Sequence, residues 1–519
     1  MTGSVYFSDL YTIMNSIPVK KLDQLNDVDM IIIPCVKQER KKSLKFIETC
    51  EAHLQSAWSH TAIQLIQDHA PDPGKAIVQW AGKQRVILIG IDESVSYQKI
   101  SSGARSILFK ALDNAEMANT IAIIPAFLKK KTIAAITNGL SMAYLRLDYY
   151  KHDKKEYHGS LTFFPEKPKD ITQVLVPISE GLTLADIQKD ICRLVNLPSN
   201  EKNPLYIVNW AKERFNGAHY AVRVLDQAAL KDQGLDALIN VGKGSKTPPY
   251  LLVIRYDKDG VSDDPRAKSN KRKSKKPKHL GLIGKGVTFD TGGISLKDPL
   301  NMHLMKSDMG GAAAVLGAMD LIGSMRMDIQ ATAVIPLAEN AIGPDAYRPG
   351  DVISSYSGRS IEVIDTDAEG RLILADAIAY MVKNYKPDIM IDFATLTGSI
   401  IATLGYKAAG LFTNNDDLAK SLKHAADLSG ERLWRMPLWD EYQEEMNSDI
   451  ADIKNLATKP LAGAITAAKF LEYFTESHSA WAHIDIAGVA MIDSEYGKQR
   501  NATAYGVLLL KQWIEDLIK

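Results

Sequence analysis

The sequence predicts an α/β protein built in two domains, and three observations carry that reading. The chain has 519 residues, more than one hydrophobic core usually supports. Short β-rich apolar runs alternate with amphipathic stretches along most of its length, the pattern of strands and helices layered on a largely parallel sheet. A stretch containing Pro198, Asn200 and Pro204, "PSNEKNP" (198–204), interrupts the alternation and reads as a domain boundary.

In chain order, "DMIIIPCV" (29–36), "RVILIGI" (85–91), "TIAIIPAF" (120–127) and "QVLVPI" (173–178) read as strands. The polar, amphipathic segment 43–67 reads as helical, and "LTLADIQKDICRLVNL" (182–197) as a helix leading into the boundary. The expected division is an N-terminal α/β domain over 1–181, a helical linker over 182–204 and a second α/β domain over 205–519. Inside the second domain, 257–279 reads as a basic insertion, with eight Lys or Arg between Arg266 and Lys278. Its plain reading is a solvated surface loop. The sharper readings are a nuclear-import signal or a nucleic-acid contact through 266–278, and a local run on a neutral chain favours the plain one.

Sixty-two basic residues balance sixty-two acidic ones, so no global field recruits nucleic acid or an anionic membrane. Cys35, Cys50 and Cys192 lack metal-ligand spacing and fit a reducing compartment, packed as small hydrophobes. The N-terminus makes a poor signal peptide, and the longest apolar stretches are broken by Asp320, Asp376 or Lys407. A soluble cytoplasmic protein is expected.

Chemistry-bearing residues gather in the second half. "HLGLIGKGVTFDTGGISLK" (279–297) opens as a strand, and glycines flank Lys285. Lys285 and Asp290 are five apart, an offset that points them to opposite faces of a regular strand. The glycines allow a bend that returns both to one side. Asp308 precedes the helix start "GGAAAV" and alone reads as an N-cap, as Asp290 alone reads as a strand end. In "DTDAEGR" (365–371), Asp367, Glu369 and Arg371 lie between a short strand, "SIEVI" (360–364), and a buried helix, "LILADAIAYMV" (372–382). With Lys297, all these residues sit beside glycine-rich strand ends, where open α/β sheets build their sites. Four carboxylates converging in a low-dielectric cleft would repel one another by several kcal/mol. Two divalent cations bridged by carboxylates would remove that repulsion, and oxygen ligands with one amine suit Zn²⁺, Mn²⁺ or Co²⁺.

"GKGVTFDTGG", "MKSDMGGAAAV" and "DTDAEGRLILADA" resemble the signature segments of the leucyl aminopeptidase (M17, cytosol aminopeptidase) family. "NVGKGS" (240–245), "AENAIGPDAYRPGDVI" (338–353), "DFATLTGS" (392–399), "LWRMPLWDEY" (433–442), "AGAITAAKFL" (462–471) and "WAHIDIAG" (481–488) follow in the family's order. The resemblance runs from about 194 to 510 and is weak in the N-terminal third. It implies a smaller N-terminal α/β domain joined by a helix to a larger catalytic α/β domain, whose central mixed sheet is flanked by helices. It also implies release of N-terminal amino acids from short peptides by a two-metal hydroxide mechanism, with a broad, leucine-like preference.

Position by position, the resemblance implies that Lys285, Asp290, Asp308 and Glu369 bind the tighter of two ions per subunit. Asp290, Asp367 and Glu369 would bind the more exchangeable one. Zn²⁺ is the expected metal, with Mn²⁺ or Co²⁺ accommodated at the exchangeable position. Lys297 would polarise the scissile carbonyl, and Arg371 would anchor a bicarbonate ion acting as general base. Met305, Thr395, Gly398 and Ala487 would line the side-chain pocket, although Met305 and Ala487 also read as plain core. Family members assemble as hexamers, dimers of trimers, so a homohexamer acting on short peptides and away from membranes is expected.

Two positions depart from the family pattern: Asp365 stands where asparagine is usual, and Ala504 where glycine is usual. His303 and His483 form no HExxH pair and read as packing residues; the P-loop ending and the G-x-S-x-G elbow are also missing. A scaffold that keeps the fold without turnover is opposed by the complete ligand set. A two-metal hydrolase of phosphate esters is opposed by the extended resemblance.

Overall fold

Continuous apolar runs become the interior strands of two sheets, as parallel strands covered on both faces require. The computed structural model describes residues 28–36, 39, 41–45, 71–81, 84–112, 119–153, 160–165, 170–261 and 277–519. Most of the helical segment read over 43–67, Cys50 and most of the basic insertion lie outside these residues. The chain divides into two compact units, Met1–Asp186 and Ile187–Lys519. Among the described residues no helix is long and apolar enough to cross a membrane.

The first unit holds a five-stranded sheet in the order Ala76–Ala81, Gln84–Ile91, Met30–Val36, Thr120–Ile124, Leu161–Pro165. Its pairings are parallel except between the first two strands. Three of the four strands expected in this region form. The fourth does not: "QVLVPI" lies inside the helix Ile171–Asn196, in which the division between the units also falls. Val174 and Ile178, four apart, are buried while Val176 is exposed, so the run is satisfied at helical spacing. A short apolar run is consistent with either state, and here the helix continuing through 182–197 decides it.

The second unit holds a nine-stranded mixed sheet. Its main path runs Leu433–Arg435, Ala409–Thr413, Trp481–Asp485, Ile389–Ala394, His279–Gly284, Gln330–Asn340, Tyr250–Asp257, Tyr220–Leu225. The four central strands are mutually parallel, and Gly286–Asp290 pairs with the far end of Gln330–Asn340. The helices Gly310–Ser324 and Glu369–Tyr385 pack on this centre with nearly continuous buried surfaces. The expected α/β class, with a mixed sheet flanked by helices, is what the chain forms. The carboxyl ends of the parallel strands and the amino ends of both helices meet at one place, the crevice where sheets of this kind carry their chemistry.

One buried carboxylate away from that crevice ties helix to sheet. Glu431 Oε2 accepts the N–H groups of Gly506 (3.0 Å) and Leu509 (2.7 Å), at the start of the helix Val507–Ile518. Burial outweighs both bonds and pushes the Glu431 carboxyl up to about 7. A pKa raised in the folded state means stability that is complete below the unfolded value and lost as pH rises through the folded one. Glu431→Gln keeps an oxygen acceptor and removes the titration. Its melting temperature relative to wild type is therefore expected to rise between about pH 5 and about pH 8, by the equivalent of about 1–3 kcal/mol. A difference that stays flat across this range would assign the titration elsewhere.

Candidate metal centre

The strand His279–Gly284 stops at Lys285 and resumes, on a different partner, as Gly286–Asp290. Lys285 donates its N–H to Phe393 O (3.0 Å) and accepts from Ala312 N (2.8 Å), so the break is held from the neighbouring strand and from the helix behind. Lys285 Nζ lies 2.8 Å from Asp308 Oδ2 and 2.9 Å from Glu369 Oε1, and donates to Thr395 O (3.0 Å). Asp308 is set just before the helix Gly310–Ser324, and its Oδ1 also accepts from Thr395 Oγ1 (2.8 Å). Glu369 opens the helix Glu369–Tyr385. Gly370 beside it lets Lys285 in, because a Cβ there would stand 2.5 Å from Lys285 Cε.

Asp290, Asp367 and Glu369 each bring one oxygen to a common point, all within 4.8 Å of one another. Lys297 Nζ lies 2.8 Å from Asp290 Oδ2 and also pairs with Asp367. Asp290 Oδ1 accepts from Gly292 N and from Asn340 Nδ2, both at 2.8 Å. Gly292 adopts φ +86°, and a Cβ on it would fall 2.4 Å from Ser295 O and 2.9 Å from Asp367 Oδ1. The loop between Asp290 and Lys297 thus folds tightly enough to put both on the same cluster.

Four carboxylates here face two ammonium groups, an excess of negative charge within a buried cleft. Burial, with the neighbouring Asp290 and Glu369, pushes the Asp367 carboxyl up to about 7 despite Lys297 beside it. Burial followed by Asp290 raises Glu369 in the same way, and burial raises Asp308 well above the usual carboxylate range. Burial alone would depress Lys285, but Asp308, Glu369 and Asp290 overcome it and hold the amine above its ordinary value. Glu369 Oε2 is buried and has no hydrogen-bond donor, a costly state for a carboxylate oxygen unless a cation meets it. The donor set fits hard or borderline divalent cations.

The sequence profile of the cytosol aminopeptidase family, catalytic domain, matches residues 191–511. The chain belongs to the cytosol aminopeptidase family. A "Probable cytosol aminopeptidase" of Chlorobium limicola is 36% identical over 96% of this chain and 98% of that protein. One of Chlorobaculum tepidum is 38% identical over 85% of this chain and 88% of that one. Among solved structures, "Bottromycin maturation enzyme BotP in complex with Mn" is similar, with a TM-score of 0.76 and 26% identity. That likeness covers 95% of this chain and all of that one. Family membership makes the chain a metal-dependent aminopeptidase, a hydrolase that cleaves peptides at the N-terminus.

Arg371, in the first turn of the helix that Glu369 opens, is buried, and its Nη1 donates to Asn455 O (2.7 Å). Its Nε is buried without a hydrogen-bond partner. Burial lowers its guanidinium to about 10 against the raising influence of Glu369, Asp365 and Asp485. Met305 is half-buried in the turn Met302–Ser307, directly upstream of Asp308. Thr395 reaches Asp308 and Lys285, whereas Gly398 is exposed with open space above its α-carbon. Ala487 packs with Ile400, Phe412, Ala464 and Ile465. Asp365 Oδ1 accepts the N–H of Asp367 (2.8 Å), which turns the chain toward the cluster. Ala504 is buried at φ +56°, so its side chain carries about 1–2 kcal/mol of strain that a glycine would not. His483 pairs through Nδ1 with Asp392 at 2.5 Å, fully buried, while His303 sits on the exposed turn.

Two residues that hold the site, Asn340 and Asn455, escaped the sequence reading. Asn340 fixes Asp290 and donates to Thr366 O (3.0 Å). Asn455 receives Arg371 and clamps the loop before Asp367 through Ile364 N (2.7 Å) and Asp365 O (2.7 Å). Asn340 lies within the quoted segment "AENAIGPDAYRPGDVI", which was the signal available for it; Asn455 had none nearby.

Proposed function

We propose that this protein is a two-metal leucyl aminopeptidase that removes leucine-like and other apolar N-terminal residues from short peptides. The observation that carries the reading is the shared position of Glu369. One of its oxygens lies against Lys285, and the residue also joins Asp290 and Asp367 in the three-oxygen cluster. Lys285, as the neutral amine that a neighbouring dication's charge would favour, would hold the tighter ion with Asp290, Asp308 and Glu369, and Asp290, Asp367 and Glu369 the exchangeable one. Zn²⁺ is proposed for the tight position, and Zn²⁺, Mn²⁺ or Co²⁺ for the other. Bound there, such ions supply Lewis acidity and lower the pKa of water.

The remaining work falls to the chain's own groups. Asp308, buried beside the cluster, would orient the substrate's free amine, which confines cleavage to the terminal residue. Lys297 carries its charge to the mouth of the cluster and would hydrogen-bond the scissile carbonyl oxygen as negative charge grows on it. Arg371 has a buried Nε without a partner, and among the described residues no carboxylate pairs with it, which suits a small bound anion such as bicarbonate taking the proton. Met305, Thr395, Gly398 and Ala487 are small or apolar, and such a wall discriminates single methylenes only modestly. A cytoplasmic homohexamer is the proposed form, on the family resemblance alone. Sedimentation at micromolar concentration is expected to report six copies; a stable monomer would remove that part.

The reading is tested by initial-rate hydrolysis of leucyl-aminocoumarin. Metal-stripped protein is expected to be inactive and to recover on adding Zn²⁺, Mn²⁺ or Co²⁺. Binding of two ions without turnover of any aminoacyl-aminocoumarin would point instead to a scaffold.

A further inference from the structure

The turn Met302–Ser307 carries Met305 and leads directly into Asp308, yet none of its own side chains is buried. The residue that precedes it, Asn301, is left-handed at φ +67°, and the turn's backbone–backbone bonds are local ones such as Leu304 N to Asn301 O (2.9 Å). Five of its six residues are half-buried, and Asp308 itself is held by Lys285 Nζ and Thr395 Oγ1, so a further anchor would act on where the turn as a whole sits.

An outside group does reach it. Lys202 is fully buried, and its Nζ donates to Lys306 O (2.6 Å), at the end of the turn, and to Val195 O (2.9 Å), at the end of the helix Ile171–Asn196. Both carbonyls belong to element ends, where backbone acceptors lack helical partners. Lys202 is itself held rigidly: its N–H donates to Pro198 O (3.0 Å), and Asn203 beside it caps the helix Pro204–Arg214. Burying an amine without a carboxylate is expensive, and a methionine of similar length would fill the space at no such cost. Burial and the nearby charge of Lys306 lower this amine to about 7, the direction such burial imposes.

We infer that Lys202 is a positioning residue for the aminopeptidase reaction: its amino group pins the Met302–Ser307 turn to the end of the helix Ile171–Asn196, and so sets Asp308 in the metal cluster and Met305 in the side-chain pocket. The inference rests on the reading of Asp308 as a ligand and Met305 as pocket wall.

Lys202→Met and Lys202→Gln are compared with wild type and with Asp308→Asn in the full-length protein. Three quantities are read: melting temperature, equilibrium Mn²⁺ binding to the metal-stripped protein, and the ratio of kcat/KM for leucyl- over alanyl-aminocoumarin. Lys202→Met is expected to weaken Mn²⁺ binding about tenfold, as loss of a group that orients a ligand does, and to shift the ratio about fivefold. Lys202→Gln, which keeps an amide donor, falls between. A Lys202→Met protein that melts lower but keeps wild-type Mn²⁺ affinity and ratio overturns the inference and leaves a purely structural role. If Asp308→Asn itself binds Mn²⁺ normally, the underlying site reading fails instead. If neither Lys202 variant folds, hydrogen exchange in wild type decides. Protection of 302–308 equal to that of 190–196 supports a common anchor, and rapid exchange of the turn alone rules it out.

Discussion

Glu369→Gln is expected to lower kcat/KM by about 10³-fold, roughly 4 kcal/mol of transition-state stabilisation, and to leave the purified protein short of its full metal complement. The substitution preserves shape and hydrogen-bonding length, so the fold should survive. What it removes is the one negative charge shared between Lys285 on one side and Asp290 with Asp367 on the other. Glu369 Oε2 is buried without a donor, so its desolvation is not offset by a hydrogen bond. An amide nitrogen in its place would present hydrogens to a cation. The checks are metal content by mass spectrometry after dialysis and steady-state rates with added Mn²⁺. A variant that retains two ions per chain and activity within tenfold of wild type would falsify the shared-ligand assignment.

Lys297→Met separates catalysis from metal binding. The ammonium lies 2.8 Å from Asp290 and against Asp367, at the edge of the cluster and about one-fifth exposed, where a substrate carbonyl could meet it. Removing a donor aimed at developing negative charge costs about 10²–10³-fold in kcat, or about 3–4 kcal/mol. Metal content should be unchanged, because Asp290 and Asp367 keep their oxygens and lose only a competing cation. A fall in metal content matching the fall in rate would make Lys297 a structural counter-charge instead.

The site's charged groups were legible because their chemistry is improbable without a cation. Asp290 ends a strand, and Asp308, Asp367 and Glu369 lie at or just before helix starts, all within three residues of a glycine. The structure gathers Asp290, Asp367 and Glu369 at one point with Asp308 joined through Lys285. The bend at Lys285 was also readable, since flanking glycines permit what a regular strand forbids. The residues that hold these groups in place were not. Lys202 reads as part of a boundary loop, and its partner Lys306 is 104 positions away. Asn455 looks like any polar loop residue until Arg371, 84 positions earlier, is brought to its carbonyl.

The same contrast separates the elements. Runs such as 85–91 and 372–382 declared themselves through composition and period, which act over a few residues. "QVLVPI" did not, because an apolar run of that length suits either a strand or a buried helix, and only the helix continuing beyond it chose. Local sequence therefore carried the α/β class, the strand-end chemistry and the demand for positive charge, all of which arise between near neighbours along the chain. Which carbonyl a buried lysine meets, which oxygen is left without a donor and which asparagine clamps the loop were settled only by tertiary closure. Those partners lie far apart in sequence, and hydrogen bonds form only between groups that packing has already brought within about 3 Å.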